Sequence, residues 1–215
     1  IMITIGALSV NAVHHCNNRC VNCSHWAPIA KPWFLDIDEL SAELAALARH
    51  AHVTYLELIG GEPLLHPDLS LLAEVARDSG IVDRIGIKTN GNLLGKVNVD
   101  YVDEINVSLY PGHAEPDISL RFLLQRQGIR LNISHVSAFH QALIPQERTE
   151  QDARLTHNIC PYRSCFVLEG GYLYTCVSAL HVPELLGLDA HIDGLKVEGA
   201  SEADIRDYLG HTDGR

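Results

Sequence analysis

Apolar runs of strand length alternate with apolar positions at helical spacing along the first two thirds of the chain. Ile3 to Val13, rich in Ile, Val and Ala, predicts a buried first strand. Asp36 or Asp38 can cap a helix from Ile37 to His50 that places Leu40, Leu44 and Leu47 on one face. Val53 to Ile59 predicts a second strand, which breaks at Gly60-Gly61. Pro67-Asp68 opens a helix through Leu69, Leu72, Val75 and Ala76 that ends near Gly80. Ile81 to Lys88 predicts a third strand, closed by the turn residues Thr89-Asn90-Gly91-Asn92. A strand from Val102 to Tyr110, a short helix from Ile118 to Gln127 and a strand from Ile129 to Val136 complete the series. In that last strand Arg130, Asn132, Ser134 and His135 interrupt the apolar positions, which puts one of its sides against a polar cavity.

Strands alternating with helices imply right-handed crossovers and a parallel sheet. The expected class is α/β, an open partial TIM-like barrel with outer helices over residues 1–150. A small Cys-rich auxiliary domain over 151–215 is expected to follow. From Ser137 to Asn158 the rhythm gives way to a polar connector with a helix in it. Beyond it, Gly170-Gly171 between two apolar-aromatic runs predicts a hairpin. Ile192 to Val197 predicts a short strand, and Ser201 with Asp204 three residues on predicts a capped final helix. The strand ends of such a barrel share one mouth, where Cys16, Cys20, Cys23, Gly60, Gly61, Glu62, Asn90, Ser108 and His135 are expected to gather.

Composition narrows the partners. With 215 residues and 47% hydrophobic content the chain can bury one good core and a small appendage. No apolar run approaches the length of a membrane span, and no basic-then-apolar signal segment stands at the start. A net charge of −11 argues against nucleic acid and suits a small molecule or a basic redox partner. Six cysteines in two separated triads indicate metal ligation in a reducing compartment, the cytoplasm, rather than disulfides.

The first triad, Cys16, Cys20 and Cys23, is spaced C-x3-C-x2-C on one loop after the first strand. No fourth cysteine follows until Cys160, so three thiolates can take three corners of a centre and leave the fourth open. That favours an iron–sulfur cube over a four-ligand zinc site, although His14, His15 or His25 can also close a zinc site here. Gly60-Gly61 lets the backbone approach a ligand closely, and Glu62 offers a carboxylate to an ammonium group. The second triad is Cys160, Cys165 and Cys176, with the hairpin turn between the last two; a zinc hairpin closed by His157 or His181 is its alternative.

The cysteine loop together with Gly60-Gly61-Glu62-Pro63 resembles the radical S-adenosylmethionine (SAM) enzymes. The resemblance implies a [4Fe-4S] cluster on Cys16, Cys20 and Cys23, whose open iron chelates SAM, with Gly60, Gly61, Glu62 and Pro63 at the SAM amino group. Asn90 and Ser108 are further expected SAM contacts. The family often carries an aromatic residue before the third cysteine, where this chain has Asn22; Trp26 either replaces it at the adenine or fills core. Cys160 to Cys176 resembles the opening of the SPASM or twitch region, which implies an auxiliary iron–sulfur cluster on Cys160, Cys165 and Cys176. The later cysteines of the full SPASM pattern are absent from this sequence.

Reductive SAM cleavage and hydrogen abstraction from a small metabolite, a sugar or cyclitol, leading to dehydrogenation or epimerisation, is the expected activity. The chain is short for a leader-recognition domain, and a short barrel with one reduced auxiliary unit resembles the aminocyclitol dehydrogenases. A flavodoxin or ferredoxin is the implied electron donor. Tyr110, His135, Arg163 and Glu169 are candidates for a proton acceptor in the mouth. A peptide-modifying maturase, a glycyl-radical-enzyme activase and a non-catalytic metal-binding module are the alternatives.

Overall fold

A computed structural model describes residues 2–95, 99–137, 149–160 and 165–210. The first apolar run forms two strands rather than one, β1 (Ile3–Ile5) and β2 (Leu8–Val13). Both run parallel to β3 (Ala51–Gly60) at one register, Ile3 opposite Ala51 and Leu8 opposite Leu56. Gly6 and Ala7 therefore leave the ladder without shifting it. At its far end β2 bulges between Asn11 and Val13. A bulge bends a strand and re-aims the chain beyond it, which at this strand end is the cysteine loop.

Helix α1 (Ile37–Leu47) starts at Asp36, whose carboxylate accepts the Asp38 and Glu39 amides at 2.9 and 3.2 Å. It buries Leu40, Leu44 and Leu47 and stops three residues short of His50. Helix α2 (Leu69–Asp78) buries Leu69, Leu72, Ala73 and Ala76. The strands β4 (Val82–Thr89), β5 (Glu104–Leu109) and β6 (Arg130–His135) add in parallel, with α3 (Ile118–Arg126) crossing between the last two. Strand order β6-β5-β4-β3-β2 is that of an open, mostly parallel α/β sheet, the partial barrel expected.

Beyond α4 (Glu150–Ile159) the chain returns to the same sheet. Strand β7 (Phe166–Glu169) runs parallel to β2, pairing Phe166 with Leu8 and Leu168 with Val10. Gly170 and Gly171, with φ of 62° and 76°, make the two-residue turn into the antiparallel β8 (Tyr172–Tyr174), and β9 (Leu195–Lys196) follows. Helix α5 (Val177–Leu185) lies between β8 and β9. Helix α6 (Glu202–Gly210) opens with a reciprocal cap, Ser201 N to Asp204 Oδ2 at 2.8 Å and Asp204 N to Ser201 Oγ at 3.2 Å. Phe166, Leu168, Leu173, Val197 and Ile205 belong to the same core as Leu8 and Val10. Among the described residues no helix is long and apolar enough to cross a membrane.

The sheet has two unlike faces, because paired residues in parallel strands point the same way. Val10, Leu58, Ile87, Ile105 and Val107 are at most 1% exposed and lie on the face the helices cover. On the open face one row reads Ser9, Glu57, Gly86, Glu104, Arg130 across β2 to β6. The next row up carries Asn11, then Ile59, and Lys88, Asn106 and Asn132 across β4 to β6. The open face is therefore a polar wall. Tyr55 OH stands 3.3 Å from Glu57 Oε1, Asn106 Nδ2 donates to Glu57 Oε1 at 3.0 Å, and Asn132 Nδ2 donates to Asn106 Oδ1 at 2.9 Å. Arg130 completes it on Glu104 at 3.2 Å.

Candidate functional site

The ends of β2, β3 and β4 meet around the cysteine loop. Gly61 N donates to Val13 O at 2.9 Å and Glu62 N to His15 O at 3.0 Å. A Cβ at Gly60 would stand 2.0 Å from Val13 O, and one at Gly61 would stand 2.0 Å from His15 O. The glycine pair thus admits the backbone of the cysteine loop against the end of β3. Glu62 is 0% exposed, and its carboxylate accepts the Leu64 amide at 3.1 Å, the Thr89 hydroxyl at 2.6 Å and the Asn90 amide at 2.8 Å. Burial pushes its carboxyl pKa up, opposed by those same bonds. In this structure the side chain of Glu62 fastens β3 to β4, rather than standing free for an ammonium group. Pro63 follows, buried, at the head of a single 3-10 turn.

Asn90 carries the connection onward. Its Nδ2 donates to Asn17 Oδ1 at 2.7 Å and to Cys16 Sγ at 3.6 Å, while Asn92 Nδ2 reaches Asn18 Oδ1 at 3.2 Å. Asn18 N also donates to Cys16 Sγ at 3.3 Å. Asn17, Asn18 and Asn92 are not singled out by spacing; the only sequence signal for them is the density of Asn in both turns. Trp26 is half-buried at a φ of 55°, with its indole Nε1 buried and unpartnered, and its backbone closes the loop by Trp26 N to Cys23 O at 3.1 Å.

Cys16, Cys20 and Cys23 are free and half-buried. Burial raises the Cys16 and Cys20 thiols, with the Glu62 charge adding to the first and the Cys23 charge to the second. Adjacent desolvated thiols of this kind ionise readily when a cationic centre takes the charge. Among the described residues no three His, Cys, Asp or Glu side chains converge on a single ion. Three thiols on one loop fit three thiolate corners of an iron–sulfur cube.

The other sequence-derived positions divide. Ser108 is half-buried on the open face, and Tyr110, just past β5, hydrogen bonds with it. Burial first, then the nearby Cys20 and Cys23, push Tyr110 up to about 12, so it stays a protonated donor. His135 does not reach the mouth. It pairs with Leu109, which lies on the helix-covered side, and β6 is the edge strand, so His135 is 69% exposed and 3.6 Å from Glu115. Glu169 is in the mouth: at the end of β7 it accepts Asn11 Nδ2 at 2.7 Å and meets His14 Nε2 at 2.9 Å. Arg163 and the side chain of His157 lie outside the described residues. Cys160 and Cys176 are half-buried and Cys165 is exposed; Cys165 and Cys176 flank the β7–β8 hairpin at the end away from its turn.

Glu43 carries no sequence signal of its role. It sits on α1, 5% exposed, and accepts the Gly171 amide at 2.6 Å, which ties the hairpin turn to the first helix. Burial, with Glu39 and Glu169 nearby, pushes it up to about 7. Its folded form holds a proton more tightly than its unfolded form, so stability falls as pH rises from about 4.5 to 7. The expected loss over that range is about 3 kcal/mol. Glu43→Gln is expected to flatten this slope in urea unfolding measured at pH 5, 6 and 7.

The family model of the radical SAM superfamily matches residues 10–125, which take in the cysteine loop, the GGE turn and β5. The chain belongs to the radical SAM superfamily, whose members bind a [4Fe-4S] cluster and SAM. Among curated relatives, GTP 3',8-cyclase 1 of Mycobacterium tuberculosis is 35% identical over 98 residues, 42% of this chain and 27% of that protein. GTP 3',8-cyclase of Chlorobaculum tepidum is 33% identical over 93 residues, 43% of this chain and 28% of that one. The aligned part thus spans little more than a quarter of either relative. Of solved structures, BtrN in complex with AdoMet and 2-DOIA superposes with a TM-score of 0.53 at 16% identity, covering 97% of this chain and 83% of that one. At that identity the likeness is one of fold.

Proposed function

We propose that the chain uses SAM to abstract hydrogen from a small hydroxylated metabolite, a sugar, cyclitol or similar compound, on the way to dehydrogenation or epimerisation. The observation that carries this reading is a loop of three free thiols that Asn90 joins to the end of β4, in a sheet whose open face is polar. When bound, the cluster and SAM supply reductive cleavage of the sulfonium to methionine and a 5′-deoxyadenosyl radical. Cys16, Cys20 and Cys23 would hold the cluster. The backbone of the GGE turn from Gly60 to Pro63, with Asn90 and Ser108, would hold the methionine end of SAM, and Trp26 would lie at the adenine. Asn106, Asn132 and Glu57 offer donors and acceptors suited to hydroxyl groups.

The second triad, Cys160, Cys165 and Cys176, would carry an auxiliary cluster that takes an electron from the substrate, and a flavodoxin or ferredoxin would feed the first. The GTP 3',8-cyclase likeness covers 42–43% of the chain and supports the cofactor half of this reading rather than a substrate. Anaerobic reconstitution with iron, sulfide and dithionite is expected to release 5′-deoxyadenosine from SAM. About eight irons per chain are expected, falling to about four in a Cys160/Cys165/Cys176 triple alanine variant. A reconstituted chain that forms no 5′-deoxyadenosine overturns the proposal.

A further inference from the structure

Strand β2 loses its register with β3 just before the cysteine loop. Asn11 faces Ile59 and Val13 faces Gly60, so Ala12 is the extra residue. A bulge releases the chain beyond it from the direction of the ladder, and that direction needs another constraint. On the β3 side the constraint is backbone: Val13 O and His15 O accept the Gly61 and Glu62 amides. On the β7 side it is one side chain. Glu169 Oε2 accepts Asn11 Nδ2 at 2.7 Å and Glu169 Oε1 meets His14 Nε2 at 2.9 Å, one partner on each side of the bulge.

Both partners depend on that carboxylate. Asn11 is 1% exposed and its Oδ1 has no partner among the described residues, so the bond to Glu169 is what holds an enclosed amide. His14 stacks on Trp33 with ring centroids 4.2 Å apart and meets His181 edge-on at 5.2 Å, which leaves its ring little room to turn. The Glu169 side chain is only 11% exposed and stands at the end of a strand fixed to β2 through Leu168 and Val10. Cys16 follows His14 by two residues.

We propose that Glu169 is a positioning residue for the SAM cluster: by bridging Asn11 to His14 across the β2 bulge, it sets where the cysteine loop leaves the sheet. With both oxygens engaged, Glu169 acts as a brace rather than as a proton acceptor for the substrate. The strand that supplies it begins directly after Cys165, so the second unit builds part of the seat of the first triad. The inference rests on the cofactors of the superfamily and not on the metabolite proposed above.

The test uses the reconstituted chain and reads SAM affinity by calorimetry, together with the change SAM makes in the electron paramagnetic resonance spectrum of the dithionite-reduced protein. A centre with an open corner responds to SAM, so the difference spectrum reports the first triad. Glu169→Ala is expected to bind SAM about tenfold more weakly and to alter the difference spectrum. Glu169→Gln, whose amide can accept from Asn11 and donate to His14 Nε2 in its other tautomer, is expected to restore both. Glu43→Ala frees the Gly171 amide of the same hairpin but leaves the bridge, and is expected to lower the urea midpoint while keeping the parent's affinity and spectrum. Should Glu169→Ala fail to fold by circular dichroism, His14→Phe keeps the stack on Trp33, loses the bridge and is expected to show the same two changes. Unchanged affinity and spectrum in Glu169→Ala or His14→Phe overturns the inference. So does a Glu169→Gln that fails as the alanine does, because charge and not the bridge is then at work. Equal weakening in Glu43→Ala also overturns it, since docking of the whole hairpin then suffices. Release of 5′-deoxyadenosine, read on the same samples, keeps the two proposals apart: its absence in the parent removes the radical chemistry and leaves these binding readouts standing.

Discussion

Gly61→Ala is expected to abolish iron binding at the first triad and, with it, SAM cleavage. The added Cβ would stand 2.0 Å from His15 O and 2.3 Å from His15 C, which are backbone atoms and have no rotamer to change. Either the end of β3 or the cysteine loop must withdraw. The bonds Gly61 N to Val13 O and Glu62 N to His15 O then open, at a combined cost of about 3 kcal/mol. The core beneath, built from β2, β3 and the helices, is untouched, so far-UV circular dichroism should persist while iron falls. Gly6→Ala, where nothing lies within 4 Å, is the control and is expected to stay within about 0.5 kcal/mol of the parent. Full iron loading in Gly61→Ala would show that the close approach is not what seats the loop.

Glu62→Ala is expected to be the most destabilising single truncation at the site. It strands the Leu64 and Asn90 amides and the Thr89 hydroxyl inside the protein and leaves a cavity, a loss of about 4 kcal/mol. Glu62→Gln keeps the volume and one carbonyl oxygen, yet turns an NH2 toward either Asn90 N or the Leu64–Thr89 pair of donors, at about 1.5 kcal/mol. The ordering Ala below Gln below parent in urea midpoint, with iron content tracking it, is the expected result. A Glu62→Ala protein as stable as the parent would remove the carboxylate from its role as the fastening between β3 and β4.

The alternation of strands and helices is legible in the sequence because each strand's helix-facing side is nearly pure Leu, Ile and Val, and because capping residues such as Asp36 and Ser201 stand where the helices begin. The cysteine loop and GGE turn are legible as motifs, but their division of labour is not. Gly60 and Gly61 read equally well as room for a ligand and as room for backbone, and only the 2.0 Å approach to Val13 and His15 separates the two. The expectation for His135 fails for a simple reason: one residue along a strand reverses the face, and Ser134 rather than His135 shares Ser108's side. Glu43 gives no signal because a lone Glu in a helix ordinarily faces water. Its meaning depends on a turn that arrives 128 residues later.

The pairing of β2 with β7 joins a strand from the start of the chain to one more than 150 residues away. Until β7 arrives, β2 presents a bare edge beside its partner β3, with Leu8 and Val10 ready to template another chain. The ladder that covers this edge is only three residues long, Leu8 to Phe166 through Val10 to Leu168. So distant a closure is entropically slow and comes late in folding. The bare β2 edge is thus the point at which the newly made polypeptide is most exposed to self-association, and substitutions that weaken Phe166 or Leu168 are expected to lower soluble yield before they lower the activity of the protein that survives.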